Sequence, residues 1–140
     1  MAITWQKEMS IGFDALDSQH KELLQRFNSF LHACKGNKGS QELSSLLTFL
    51  DEYMEHHFTD EEQIMIHYQF PEYIAHKKEH DGFVAWLDTL KREITQDGFS
   101  VYSVIATNSF LLNWLQKHIA ESDKKIGLFF QTTSHFADFI

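Results

Sequence analysis

A chain of 140 residues with formal net charge −8, 12 Lys and Arg against 20 Asp and Glu, is sized for one domain and offers no basic patch to nucleic-acid phosphates. No apolar run approaches the ~20 residues that span a bilayer, and the N-terminus lacks a secretory signal, so a cytoplasmic domain without membrane insertion or nucleic acid is expected. One Cys excludes an internal disulfide, and one Pro with six Gly leaves few breaks, which favours long helices.

Residues 1–12 carry Trp5, Ile11 and Gly12 with little periodicity and read as an arm lying on the domain. Phe13, Leu16, His20, Leu23, Phe27, Phe30, Leu31 and Cys34 then recur at spacings of three and four, predicting a helix over 14–35. Gly36 and Gly39 are expected to end it by taking positive φ. Ser40 is a candidate N-cap for a second helix over 40–68, whose seam is Leu43, Leu47, Leu50, Met54 and Ile64, with His57 and Glu61 in phase. His56 and Asp60 instead share phase with Tyr53, Gln63 and His67, a more polar stripe.

Pro71 is expected to open a third helix over 71–96, with Tyr73, His76, His80, Phe83, Leu87, Leu90 and Ile94 on one face and Asp97-Gly98 closing it. Ser100 is placed to cap a fourth, over 100–119, whose seam is Val104, Thr107, Leu111, Trp114, Leu115 and His118. Residues 122–140, with Phe129, Phe130, Phe136 and Phe139, are expected to form a short C-terminal helix or tail packed back on the bundle. Short connections make neighbouring helices antiparallel. The expected fold is therefore one all-α domain over 1–140, an antiparallel up-down-up-down four-helix bundle with an N-terminal arm.

The core faces of these helices carry unusual cargo. His20 comes from the first, His57 and Glu61 from the second, His76 and His80 from the third, and His118 from the fourth. An unsatisfied buried polar group costs roughly 1–3 kcal/mol, and a metal ion removes that cost by taking imidazole lone pairs and carboxylate charge. Asp123 is a seventh candidate, but its i+5 spacing from His118 turns it by ~140° at ~100° per residue. It faces the core only if the helix ends or bulges there. Five imidazoles and two carboxylates exceed the needs of one ion and suit two, with iron, zinc or copper all compatible. No thiolate zinc or iron–sulfur site is expected from the lone Cys34, and neither Glu-x-x-His nor His-Glu-x-x-His occurs.

The segments Asp17-Ser-Gln-His20-Lys-Glu-Leu23, His57-Phe-Thr-Asp-Glu61-Glu62, His76 with His80, and His118-Ile-Ala-Glu-Ser-Asp123 together resemble the hemerythrin family, in its bacterial single-domain form. The resemblance spans residues 5 to about 130. It implies two iron ions, one held by His76, His80 and His118 and the other by His20 and His57 with an open position. Glu61, Asp123 and an oxo or hydroxo group would bridge them, and dioxygen would bind reversibly at the open position. Leu23, Phe58, Trp114 and Ile119 would then line the oxygen pocket and keep it dry.

The implied function is carriage or storage of dioxygen, the alternative being a domain that senses oxygen, redox state or nitric oxide. Sensing ordinarily needs an output module and none is visible, which favours carriage. Any protein that accepts the oxygen or the signal is unknown. Enzyme activity is not expected, because an oxidase or peroxidase needs a proton donor near the open iron and this lining offers no obvious one.

Overall fold

The structure, a computed structural model, describes the backbone of residues 4–137 and the side chains through Thr132. After a single 3-10 turn at Lys7–Met9, four helices follow. Helix α1 is Asp14–Lys35. Helix α2 covers residues 39–67 as Gly39–Tyr53, a π-helical stretch Met54–Phe58, and Thr59–His67. Helix α3 is Tyr73–Asp97. Helix α4 covers residues 101–137 as Val101–Asn113, a π-helical stretch Trp114–Asp123, and Lys124–Ala137. Backbone angles at Met54, Thr59, Trp114 and Lys124 are all right-handed helical, so the composite helices run through without a break.

The amphipathic faces explain the bundle. Leu16, Leu23, Leu24, Phe27 and Phe30 of α1 meet Leu43, Leu46, Leu50 and Tyr53 of α2, Phe83, Leu87 and Leu90 of α3, and Leu111, Trp114, Leu115 and Ile119 of α4 in one buried core. His20 near the start of α1 lies beside His57 late in α2, and His76 near the start of α3 lies beside His118 midway along α4. That alternation of early and late positions is what an antiparallel up-down-up-down bundle produces. A smaller apolar cluster of Met65, Phe70 and Ile126 lies at the end of the bundle nearest these histidines. No helix among the described residues is long and apolar enough to cross a membrane.

Several local readings change. Asn37, not a glycine, takes the positive φ of 61° after α1, while Gly36 sits at −91°. Gly39 instead starts α2 itself, because a Cβ there would come within 3.0 Å of Cys34 Sγ and 3.2 Å of Val104 Cγ1. Ser40 therefore lies inside the helix, and Lys38 holds the cap position without a side-chain bond. Pro71 falls in the turn before α3, which begins at Tyr73. Ser100 does cap α4, accepting from the Ser103 N–H at 3.1 Å while its own N–H donates to Ser103 Oγ at 2.9 Å.

The fourth helix does not stop at 119. It continues through the segment expected as a separate tail, and Phe129 and Phe130 pack against the Met65 cluster. The side chains of Phe136 and His135, and Phe139 altogether, lie outside the described residues. The N-terminal arm is tied down by buried Asp17, which accepts from Ser10 Oγ–H at 2.5 Å and from the Ile11 N–H at 2.9 Å. Ile11, 1% exposed, crosses α4 at Gly127, where a Cβ would stand 3.0 Å from Ile11 Cα.

Candidate metal centre

All seven predicted ligand residues converge, each buried to 3% exposure or less. Glu61, His76, His80, His118 and Asp123 form one group, and His20, His57, Glu61 and Asp123 form a second, so the two carboxylates belong to both. Within each group the potential ligand atoms lie within 4.8 Å of one another. The two π-helical stretches account for this convergence. Adding a residue to a helical turn lowers the rotation per residue, so the i+5 pair His118 and Asp123 lands on one face. The shorter stretch in α2 contains His57 and sits one turn before Glu61.

The imidazoles share an orientation. Each of the five approaches the carboxylates through Nε2. Three are held from behind at Nδ1: His57 donates to Gln19 Oε1 at 2.6 Å, His80 to Glu62 Oε2 at 2.7 Å, and His118 to Glu79 Oε1 at 3.0 Å. Each of these oxygens serves as an acceptor, which places a proton on Nδ1 and turns Nε2 inward toward the carboxylates. Gln19 is itself anchored by donating to Asp60 Oδ2 at 2.9 Å, and Glu79 by accepting from Ser122 Oγ–H at 2.8 Å. Gln19, Glu62 and Glu79 carry no helical-phase signal of their own. They could have been found only by asking what stands behind each ligand.

Electrostatics inside the cluster show why it calls for a cation. Burial alone would depress His76, but the Asp123 and Glu61 carboxylates lying against it raise it to about 10. Burial likewise opposes His118, and Asp123, Glu79 and Glu61 lift it to about 9. His20 is raised by Asp123 and Glu61 against burial, whereas for His57 burial prevails and lowers it. Burial would raise both carboxyls, yet His57 and its neighbours hold Glu61 well below the usual range, and His118 and His20 hold Asp123 down. Protons on imidazole nitrogen thus stand where cations would.

That substitution is incomplete. His20 Nε2 and His57 Nε2 face each other at 2.9 Å, a contact that needs a proton or a metal between two lone pairs. Asp123 oxygens lie 3.0 Å from His20 Nε2, 2.9 Å from His76 Nε2 and 3.2 Å from His118 Nε2. These contacts are close but poorly aligned, and Glu61 Oε2, His118 Nε2 and both Asp123 oxygens are buried with no completed hydrogen bond among the described residues. A cation accepts all of these lone pairs at once, so the residues fit a metal pair and not a proton network.

Aromatic rings wall the side facing the core. Phe58 stacks on His80 with centroids 4.0 Å apart, and Trp114 on His118 at 3.9 Å. Leu23 and Ile119, at 0% and 1% exposure, lie in the same buried core. Tyr53 breaks the sequence expectation: it is 4% exposed, not part of a polar stripe, and stacks on His57 with centroids 4.7 Å apart. A hydroxyl-bearing side chain therefore stands beside the two-histidine position, where the sequence offered no evident donor. Burial raises this phenol well above its ordinary value, as do the Asp123 and Glu61 charges, while the Trp114 indole acts in the opposite sense.

A four-helix bundle closed over paired histidine and carboxylate groups defines a helical metal-binding protein. The sequence matches the hemerythrin HHE cation binding domain over residues 11–127, and the chain belongs to that family. It is similar to a bacteriohemerythrin of Clostridium acetobutylicum, 26% identical over 86% of this chain and 95% of that protein. A bacteriohemerythrin of Methylococcus capsulatus is 30% identical over 84% of this chain and 86% of its own length. A myohemerythrin of Theromyzon tessulatum is 27% identical, covering 86% and 88% respectively.

The backing residues give a first expected outcome. Glu62→Ala removes the acceptor behind His80, and such changes lower metal affinity by roughly 10–100-fold. Competition with a chelator reads it directly. An affinity equal to that of the unaltered protein would show that Glu62 does not orient this ligand.

Proposed function

We propose that this chain binds dioxygen reversibly at a non-haem di-iron centre, for carriage or storage. The observation that carries the reading is the two-lobed cluster, in which Glu61 and Asp123 belong to both groups and the second group has two imidazoles against three in the first. In this assignment His76, His80 and His118 hold one ion and His20 and His57 the other, with Glu61 and Asp123 bridging. Two irons so held would supply the electrons that dioxygen takes up on binding and returns on release.

The remaining work is done by the chain. The position served by two histidines is one protein ligand short and is the natural place for an exogenous molecule. Gln19 behind His57 keeps that imidazole aimed. Phe58, Trp114, Leu23 and Ile119 supply dry neighbours. Water reaching the centre would solvate and carry off the reduced ligand, leaving oxidised metal, so excluding it favours release of dioxygen unchanged.

The test is to reduce the iron-loaded protein without air, admit air while recording the visible spectrum, and measure iron per chain on the same sample. A band that appears with air and disappears on deoxygenation, with a pair of irons per chain, supports the reading. Direct passage to the oxidised spectrum points to redox sensing or oxidase chemistry, and zinc in place of iron sinks it.

A further inference from the structure

The wall of aromatic rings holds two buried hydrogen-bond donors, a phenol and an indole. Tyr53 Oη and Trp114 Nε1, in side chains 4% and 6% exposed, complete no well-aligned hydrogen bond among the described residues; the indole N–H acts on the phenol oxygen, and the phenol hydrogen is left without an acceptor. They flank the same ring. Phe58 lies 5.6 Å from Tyr53 and 5.8 Å from Trp114 by centroids, and Phe83 backs all three at 6.2, 5.4 and 4.8 Å. Each ring of this wall lies stacked on a different histidine of the cluster, Tyr53 on His57, Phe58 on His80 and Trp114 on His118. The phenol is the one beside the lobe with two imidazoles.

A buried donor without an acceptor costs roughly 1–3 kcal/mol, and a phenylalanine would keep the stacking without that cost. We propose that Tyr53, assisted by Trp114, is the hydrogen-bond donor to the molecule held at the His20–His57 position. The site then selects small ligands that carry negative charge at an accepting atom, of the azide or nitrite class, over neutral ligands of the same size. The bond is directed and strengthens as charge builds on the ligand, because hydrogen bonds to charged acceptors exceed those to neutral ones. Specificity of this kind needs no lysine or arginine in the pocket. The inference rests on the di-iron reading above and deepens it, since it names what the open position prefers.

The probe is azide, titrated into the oxidised iron-loaded protein and followed by its visible absorption, with Tyr53→Phe and Trp114→Phe as variants. Tyr53→Phe keeps the ring on His57 and should weaken azide about tenfold to hundredfold, the range of one hydrogen bond to a charged group; Trp114→Phe should weaken it less. The infrared stretch of bound azide should shift between H2O and D2O in the unaltered protein and lose that shift in Tyr53→Phe. Equal azide affinity and an equal isotope shift in Tyr53→Phe, in a sample retaining its iron, would overturn the inference. Iron per chain, measured before azide is added, separates this from failure of the di-iron reading, which would show as a missing metal pair in the unaltered protein.

Discussion

Glu61→Ala should empty both halves of the centre at once. Its Oε1 lies 2.6 Å from His76 Nε2 and 3.0 Å from His80 Nε2, while its Oε2 lies 3.1 Å from His57 Nε2 and 3.7 Å from His20 Nε2. No imidazole reaches across in this way, so His20→Ala serves as a control that removes a ligand from one group only. The variant also deprives the metal-free protein of a carboxylate whose charge raises His20, His76 and His118. Breaking a buried ion pair on one side costs about 3–5 kcal/mol. Elemental analysis after loading should show both ions lost in Glu61→Ala and a partial loss in the control. Retention of the pair by Glu61→Ala would remove this residue from the bridge.

Metal should reverse the direction in which pH acts on stability. Without metal, His76 and His118 titrate near 10 and 9 in the folded state, against an ordinary value of 6.5. A raised folded value means the stabilisation is complete below about pH 6.5 and is lost as pH climbs through 9 and 10. The depressed Glu61 and Asp123 act at the other end, contributing above the ordinary carboxylate range and losing that contribution as pH falls below it. With metal, the ligands must be neutral imidazoles, so acid below about pH 6 ejects the ions and alkali does not. Thermal melting from pH 5.5 to 9.5, with and without a chelator, should give a falling line for the empty protein and a widening gap to the loaded one. An empty protein whose melting point rises across that range contradicts the protonated cluster.

The helical seams were legible because each histidine occupies a position that a leucine would otherwise fill, as with His76 and His80 ahead of Phe83 and Leu87. Asp123 was legible as a condition, since its spacing from His118 demanded a bulge or a helix end, and the widened helix supplies the bulge. What periodicity could not carry was the continuation of that helix through residues 124–137, because a π-helical stretch resets the phase and makes the downstream segment look unrelated. Tyr53 was hidden by a similar assumption. A regular 100° wheel grouped it with exposed His56 and Asp60, whereas the fold packs it on His57. Gly39 went unread as a contact residue because nothing local announces Val104, far along the chain, pressing on it.

The arm at Ser10 and Ile11 touches α4 at Gly127, about one helical turn beyond Asp123. Were the widened stretch to tighten into ordinary α-helix, everything after it would swivel by ~100°, carrying Asp123 away from the histidines and Gly127 off the arm together. The arm, pinned by Asp17 only three residues before His20, therefore works as an index mark. It registers the angular setting of α4 against α1, and a carboxylate more than a hundred residues downstream keeps its aim because the arm is clasped to the helix that carries it.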